Sequence, residues 1–379
     1  MLRILLSLVL VGLVAVAGAA KKAAEDPLDL AALMLRDNHP DRALAVLDGL
    51  DPAAGEIDTV RYHTLRGLAA QRLADLPAAK SALAAAVAAG ATDAVVFVYL
   101  AQISYELGDD RAVIKALSQV EAETARIPST WHLRADALWR LSRPIDALAA
   151  LDQARVLFPD DPSFPRRRVF YLIDLGLYQA AADQGEAYLA RFDGRFADRV
   201  AIADALRRAG QTAKALHFLE AAHLLHPESL AATKALAHVY VDRQAYHTAA
   251  ALIDEAAVFD RSLVADAAEL YRRAGQRYRA LLLNGQIADQ EAKLKQRLAL
   301  TLELGHFEQA AAMREDLYRL NLVANEDIRY ALAFALFKSG DYPAAENELA
   351  RLRRGDLFRK AVEVRRAIAE CRDEPWRCQ

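Results

Sequence analysis

Three histidines on one predicted helix are spaced so that they could bind a metal ion. His223 and His226 are three residues apart, so their rings share a helix face and could touch one metal ion, and His217 lies on the same helix. Only Glu220 and Glu228 lie nearby in sequence, and no cysteine is placed to complete a ligand shell. We interpret these histidines as surface residues of the helix and predict no metal site.

The sequence contains none of the common catalytic motifs. There is no phosphate-binding G-x-x-x-x-G-K loop, no G-x-S-x-G nucleophile turn and no H-E-x-x-H zinc motif. The paired carboxylates Asp109 with Asp110 and Asp160 with Asp161 lie in predicted turns, where aspartate caps the following helix. We therefore predict a protein that is not an enzyme and that needs no cofactor.

The two cysteines, Cys371 and Cys378, lie close together near the C-terminal end of the sequence. In an oxidising compartment, an even pair at this short range is typical of a disulfide bond. The closed loop is small, so the bond would contribute about 2–2.5 kcal/mol at most. A metal site would need further ligands, and the nearest histidine in sequence is His306. We predict a Cys371–Cys378 disulfide that keeps the tail from fraying.

The first twenty residues have the pattern of a secretory signal peptide. Arg3 precedes an apolar run from Ile4 to Ala17, and a small-residue exit follows, with cleavage expected after Ala19 or Ala20. No cysteine follows the run, which excludes a lipoprotein anchor at that site. We predict an exported, periplasmic protein with no membrane span after cleavage. The alternative is an uncleaved N-terminal membrane anchor, because the run approaches the minimum length for a span.

Composition limits the classes of partner. The 379-residue chain carries a formal net charge of −3, with 26% charged and 54% hydrophobic residues. Non-specific nucleic-acid binding needs a clearly basic face, so this balance argues against it. Much of the hydrophobic content is alanine, which suits helices that pack at close range.

A small residue after a turn recurs along most of the chain. The usual period is about 34 residues, which with helical patterning inside each interval is typical of a helix–turn–helix repeat array. We call the first helix of each repeat helix A and the second helix B. The recurring residues are Ala43, Ala79, Val113, Ala147, Ala181, Ala215, Ala249, Ala280, Ala310 and Ala345.

The fourth repeat illustrates the pattern. Trp131, Ala135 and Leu138 form one apolar stripe of helix A, and Ala147, Leu151 and Ala154 form the stripe of helix B. Pro159 ends the repeat, because proline lacks a backbone donor and cannot continue a helix. The repeat resembles the consensus of the tetratricopeptide repeat family at Trp131, Ala135, Ala147, Leu151, Ala154 and Pro159.

The resemblance implies an all-α fold, a right-handed α-solenoid of about ten repeats over residues 28–355. Residues 356–379 would form a C-terminal cap helix and the disulfide tail. The intervals from Ala249 to Ala280 and from Ala280 to Ala310 are shorter than all the others. We expect a shortened helix B or a missing turn near Gly285–Leu294, an irregularity near residues 280–310, and a division of the array after its seventh repeat.

In this family helix A lines a concave groove that grips the partner. Trp139 or Phe170 could instead fill the space between neighbouring A helices, and the Arg166–Arg168 run could be a solvated helix start. The run begins a helix, where the helix dipole disfavours cations, so we take it as weak support for function. The predicted groove residues are Tyr99, Gln102, Tyr105, His132, Asp136, Trp139, Arg167, Phe170, Asp204, Arg207, His238, Glu269 and Arg272.

The architecture suggests an exported scaffold that binds a protein or peptide partner in its groove. It is similar to repeat proteins of envelope assembly and secretion machines and of ExbB/ExbD/TonB-type energy-transduction systems. The alternative is a glycan-binding protein in which Trp139 and Tyr105 stack on the sugar rings of a cell-wall or exopolysaccharide chain. The sequence does not identify the partner or the oligomeric state.

Overall fold

The computed structural model of the protein describes residues 26–55 and 57–373. Regular structure in these ranges is entirely helical, and the chain forms an all-α solenoid of helix pairs. It divides into two compact units, one ending at Phe164 and the other beginning at Pro165. The division falls within the fifth helix A and not near residue 280, where the repeat spacing shortens.

The first unit contains four helix pairs, in which the two helices of a pair pack on each other and helix B of each of the first three pairs packs on helix A of the next pair. A single extra helical turn follows the third pair, and a 3₁₀ helix lies at Pro52–Ala54. The helices are α1 (Pro27–Arg36) with α2 (Pro40–Asp48), α3 (Thr59–Arg72) with α4 (Leu76–Ala88), α5 (Ala94–Glu106) with α6 (Asp110–Gln119), α7 (Glu121–Thr124), and α8 (Pro128–Arg140) with α9 (Pro144–Leu157).

The second unit continues the helix pairs and ends with a long helix. Two 3₁₀ helices lie at Arg261–Leu263 and Leu322–Ala324. The helices are α10 (Ser163–Asp174), which contains the division, with α11 (Tyr178–Phe192), α12 (Phe196–Arg208) with α13 (Thr212–Leu225), α14 (Leu230–Asp242) with α15 (Tyr246–Ala256), α16 (Val264–Arg273) with α17 (Arg277–Asn284), α18 (Gln290–Glu303) with α19 (Phe307–Ala312) and α20 (Arg314–Arg319), α21 (Glu326–Lys338) with α22 (Tyr342–Leu349), and α23 (Gly355–Asp373).

The recurring small residues mark the closest packing of each repeat. All ten, from Ala43 to Ala345, lie in a helix B and have 0% of their surface exposed. Gly67 of α3 shows how close helix A comes, because a Cβ at this position would lie 2.6 Å from Leu83 Cγ of α4. A larger side chain at such a crossing would force the two helices apart. The predicted repeat register is therefore confirmed.

The turns from helix A to helix B require a left-handed backbone. The glycines expected there adopt it, for example Gly108 with φ 76° and Gly210 with φ 79°. Repeats that lack this glycine place another residue in the same conformation, including Ala74 with φ 61° and Gln244 with φ 59°. Side chains with a Cβ are disfavoured in this region, so these two turns are held by the packing of the helices around them.

The expected aspartate caps are present in the first unit. The Asp109 carboxylate accepts a hydrogen bond from the Ala112 N–H at 3.0 Å at the start of α6. The Asp161 carboxylate accepts one from the Ser163 N–H at 2.8 Å at the start of α10. Both satisfy backbone donors that a helix start leaves without a partner, which accounts for these carboxylates without catalysis.

The short interval from Ala280 to Ala310 is accounted for by α17, a helix B of eight residues, and the short interval from Ala249 to Ala280 by α15 and α16, which have 11 and 10 residues. Asn284 at its end is completely buried. The Asn284 side-chain amide donates to the Lys293 carbonyl at 2.9 Å and to Gln296 Oε1 at 3.2 Å. Gln296 in turn donates to the Ala265 carbonyl at 3.1 Å. This polar chain links α16, α17 and α18 where a longer helix B would otherwise pack.

Helix α23 covers the end of the last repeat. Leu357, Ala361, Val364 and Ile368 are buried in the same hydrophobic core as α21 and α22. Cys371 is also buried and is disulfide-bonded. Its predicted partner Cys378 lies outside the described residues, so the Cys371–Cys378 pairing stays a prediction.

The predicted signal peptide, residues 1–20, also lies outside the described residues. Within the described ranges, no helix has both the length and the apolar character needed to cross a bilayer.

Candidate functional site

In the first unit, helices α5 and α8 bring Tyr105 and Asp136 together. The Tyr105 hydroxyl donates to Asp136 Oδ2 at 3.2 Å, and the Arg140 guanidinium lies over the Tyr105 ring, 4.0 Å from its centroid. Trp139 and Gln102 lie on the same two helices and are half-buried. These residues thus link the A helices of successive repeats while keeping part of their surface accessible.

Two other predicted groove residues of the first unit serve mainly in packing. The His132 ring stacks on Phe164, with centroids 4.2 Å apart and planes 8° from parallel, and hydrogen-bonds to Ser163 Oγ at 2.8 Å. Tyr99 packs against the core formed by α3, α4 and α5. Tyr99 lies one residue after the position equivalent to His132. A shift of one residue turns a side chain by about 100° around the helix axis, and Tyr99 therefore packs against this core.

In the second unit, Arg207 bridges two carboxylates on successive A helices. Arg207 Nε donates to Asp204 Oδ1 at 2.9 Å on its own helix, α12, and Nη1 donates to Asp242 Oδ2 at 2.8 Å on α14. Only 16% of the Arg207 side chain is exposed. Burial opposes the charged form, but these hydrogen bonds outweigh it and raise the pKa of Arg207.

Arg272 repeats this arrangement between α16 and α18. Arg272 Nε and Nη2 each donate to the Glu269 carboxylate at 2.8 Å, and Nη1 donates to Glu303. The hydrogen bonds from Arg272 are the main reason that the pKa of Glu269 lies below its ordinary value, with Arg273 adding to the effect. Both predicted arginines therefore join neighbouring A helices as well as facing the surface.

His238 lies one turn before Asp242 on α14 and is exposed. It is therefore the predicted residue of the second unit whose side chain is most open to a partner. We call this surface the A-helix ladder; it consists of Asp204, Arg207, His238, Asp242, Glu269, Arg272 and Glu303.

The arginine run Arg166–Arg168 at the start of α10 has structural partners. The run therefore no longer supports a functional role. Arg166 Nε lies 2.9 Å from both carboxylate oxygens of Asp198 on α12, and its guanidinium lies 4.8 Å from the centroid of the Phe170 ring. Arg168 hydrogen-bonds to Gln184 on α11. Arg166, and not the predicted Arg167, occupies the position equivalent to His132 of the preceding repeat and bridges two A helices.

Asp198 is the residue that sequence reasoning missed. Its carboxylate has 0% exposure and accepts hydrogen bonds from Arg166, from the Tyr188 hydroxyl at 3.1 Å and from the Arg195 N–H at 3.2 Å. Burial disfavours its ionised form, but these donors together hold the pKa of Asp198 below its usual range. The signal available in the sequence was an acidic residue in the first turn of α12, a position that favours negative charge.

The histidine cluster has ordinary partners. His223 is half-buried and hydrogen-bonds to Thr233 Oγ1 at 3.1 Å, so it is not the surface residue that we expected. His226 lies 3.2 Å from Glu228 Oε1. Among the described residues, no group of three or more histidine, cysteine or acidic side chains could hold a metal ion.

The structure is that of an all-α helical-repeat protein built from helix pairs with a usual period of about 34 residues. No protein-family model and no curated protein matches the chain. Similar solved structures include a tetratricopeptide repeat protein from Parabacteroides merdae, with 16% identity, a TM-score of 0.45 and coverage of 64% of this chain and 99% of that one. MamA from Desulfovibrio magneticus has 20% identity and a TM-score of 0.41, covering 45% of this chain and 97% of its own.

A third similar structure is YrrB, described as a TPR protein with an unusual peptide-binding site. It has 12% identity and a TM-score of 0.41, and the match covers 48% of this chain and 94% of YrrB.

Proposed function

We propose that this protein is a non-enzymatic scaffold that binds a protein or peptide partner across its A helices. The observation that carries the proposal is the A-helix ladder, in which Arg207 and Arg272 each join carboxylates on the A helices of two successive repeats. These ion pairs hold long side chains in fixed positions at a partly exposed surface. A partner that contacts them loses little side-chain entropy on binding, because the side chains are already ordered.

The charges of the ladder suit recognition better than catalysis. The lowered pKa of Glu269 keeps this carboxylate ionised at neutral pH, whereas a general base needs a pKa near the working pH. Alternating arginines and carboxylates match a peptide that carries both signs of charge. Complementary charge at the edge of an interface favours the correct partner and its orientation.

The glycan alternative gains less support. In the glycan hypothesis a sugar ring stacks on Tyr105. The Arg140 guanidinium already covers one face of that ring, 4.0 Å from its centroid. A sugar would have to displace this contact or share the ring with it. We therefore propose that the protein binds a protein or a peptide and not a glycan.

We place the scaffold in the periplasm, in an envelope assembly, a secretion system or an ExbB/ExbD/TonB-type energy-transduction system. The signal-like segment from Arg3 to Ala20 and the late cysteine pair support export. N-terminal sequencing of the natural protein should return a chain that starts near Ala20 or Lys21. A chain that starts at Met1 would instead support the uncleaved anchor.

Site-specific photocrosslinking in the natural host tests the binding proposal. A photoreactive amino acid at His238, which is exposed on helix A, should yield a discrete adduct with one envelope protein. The control is the same amino acid at Gln153, which is exposed on a helix B. No adduct at His238, or the same adduct at both positions, would contradict the proposal.

A further inference from the structure

Two successive repeats of the second unit expose large apolar side chains at equivalent positions. Leu224 and Leu225 at the end of α13 are 81% and 76% exposed, and their counterparts in the next repeat, Val258 and Phe259, are 72% and 73% exposed. Single exposed apolar residues are ordinary, but large apolar side chains exposed at the same positions of two neighbouring repeats favour an interaction site. We call these four residues the apolar patch.

A cavity of about 200 Å³ lies beside the apolar patch. Phe259 forms one wall, and Pro227, Leu230 and Leu252 supply the other large apolar surfaces. The cavity therefore lies among α13, α14 and α15, where two repeats meet. It offers an apolar recess next to exposed apolar side chains, which is the usual form of a site that holds one anchoring residue of a partner.

The carboxylates of the cavity lining come from Glu228 and Glu255, and both residues are exposed. The pKa of Glu228 is lowered by hydrogen bonding to its own backbone and to His226, so this group stays ionised. Within the described part of the chain, no side-chain partner of Glu255 is present.

His226 hydrogen-bonds to Glu228 at 3.2 Å, and the lysine and arginine side chains closest in sequence have other partners. Lys234 lies 3.4 Å from Asp260, and Arg261 donates to Gln286 at 3.2 Å. Of the other residues that line the cavity, His223 is the one that could carry a positive charge, and it hydrogen-bonds to Thr233. The rim therefore presents negative charge beside an apolar surface.

We propose that the apolar patch binds a basic amphipathic segment of a partner protein. An apolar side chain of the segment enters the cavity beside Phe259, and its lysine or arginine side chains pair with Glu228 and Glu255. This surface belongs to the ends of helices B and is separate from the A-helix ladder. It is a second docking site, beyond the function proposed above.

Fluorescence anisotropy with two designed peptides tests this assignment on the full chain. One labelled helical peptide has a leucine face and a lysine face, and the other has glutamate in place of lysine. The leucine–lysine peptide should bind at least about tenfold more tightly than the leucine–glutamate peptide. Phe259→Ser should weaken its binding at least about tenfold, and a Glu228→Lys, Glu255→Lys double variant should reverse the preference.

The matched control is Ile145→Ser, which replaces an apolar side chain that is 81% exposed in the first unit. It should leave peptide binding unchanged, and circular dichroism should report the same fold for every variant. Equal binding of both peptides, or full binding by Phe259→Ser, would overturn the proposal.

Two further measurements address other occupants of the patch. A parent protein that dimerises in sedimentation while Phe259→Ser stays monomeric would assign the patch to a second copy of this chain. Binding to neutral phosphatidylcholine vesicles that Phe259→Ser abolishes would assign it to a lipid surface. Either result would overturn the proposal of a basic segment. Neither depends on His238, so failure here is distinguishable from failure of the A-helix ladder.

Discussion

The carboxylate of Asp198 is completely buried, and its charge is balanced by the guanidinium of Arg166 and by two further donors. A buried charge without partners is strongly unfavourable, so these contacts stabilise the packing of α12 on α10 and α11. Arg207 and Arg272 have a related role at the surface. At the scale of residues, charged side chains in this protein join neighbouring helices before they meet any partner.

Replacing Asp198 by asparagine should lower the free energy of unfolding at pH 7 by about 2 kcal/mol, because a charged hydrogen-bond acceptor is lost inside the protein. The folded-state pKa of Asp198 is lowered, so the unfolded chain binds the proton more tightly. The stabilisation is therefore present above the unfolded pKa of about 3.9 and is lost as pH falls through the lower folded value.

Chemical denaturation between pH 3 and pH 7 measures this effect. The difference between parent and Asp198→Asn should shrink as the pH falls. Asp193→Asn, at a side chain that is 93% exposed, should match the parent throughout. A constant difference at every pH would show that the ionised Asp198 does not stabilise the fold.

At the scale of elements, the crossing of helices A and B depends on a small side chain in helix B. Ala147 is the example in the fourth repeat and has 0% exposure. A tightly packed interior has no room for added methylene groups without moving the backbone. The close crossing is the reason that the repeat period could be read from small residues alone.

Ala147→Leu should overpack this crossing and lower the free energy of unfolding by about 1–3 kcal/mol. Thermal or urea unfolding of the full chain measures the change. Ala149→Leu, two residues away on the same helix but exposed, is the matched control and should stay close to the parent. Equal stability of the Ala147→Leu variant and the parent would mean that α9 does not cross α8 at this residue.

The helices could be predicted because each repeat contains its own pattern of small residues and turn residues. Ala147 or Gly210 marks a position inside one repeat, so the local sequence is sufficient. The partners of Arg207 and Arg272, Asp242 and Glu303, were not identified, because each lies on the A helix of the following repeat. Those pairings depend on how neighbouring repeats are packed, which no local pattern states.

The prediction of Arg167 in place of Arg166 has a different cause, a register error of one residue in α10. Both are arginines in one run, and a shift of one residue turns the side chain by about 100° around the helix axis. Arg166 follows His132 by one repeat period, and its contact with Asp198 on the next A helix agrees with that register. The fold and the repeat register could thus be predicted from the sequence, whereas the side chains that join the repeats could be identified only from the structure.

In the molecule as a whole, stability is distributed along each unit, because within a unit each repeat contacts chiefly its neighbours. Helix α23 closes the last repeat with Leu357, Ala361, Val364 and Ile368. A disulfide of Cys371, near the C-terminal end of this helix, should therefore affect the tail more than the array.

Protein taken from the envelope should contain a Cys371–Cys378 disulfide, and reduction should add the mass of two hydrogens. Reduction should leave the unfolding midpoint of the array almost unchanged, since the bond closes only a short loop at the end of the chain. Mass spectrometry with thiol labelling before and after reduction checks both statements. Two free thiols in unreduced protein would contradict the disulfide and weaken the case for export.

Calorimetric titration with the protein captured by crosslinking measures whether that partner binds the A-helix ladder. His238→Asp should weaken that binding at least about tenfold, or about 1.4 kcal/mol, because it adds a carboxylate beside Asp242. His217→Asp, an equal change at an exposed position on helix B, should alter neither binding nor the unfolding midpoint. Unchanged affinity in His238→Asp, or loss of binding in His217→Asp alone, would contradict binding at the A-helix ladder.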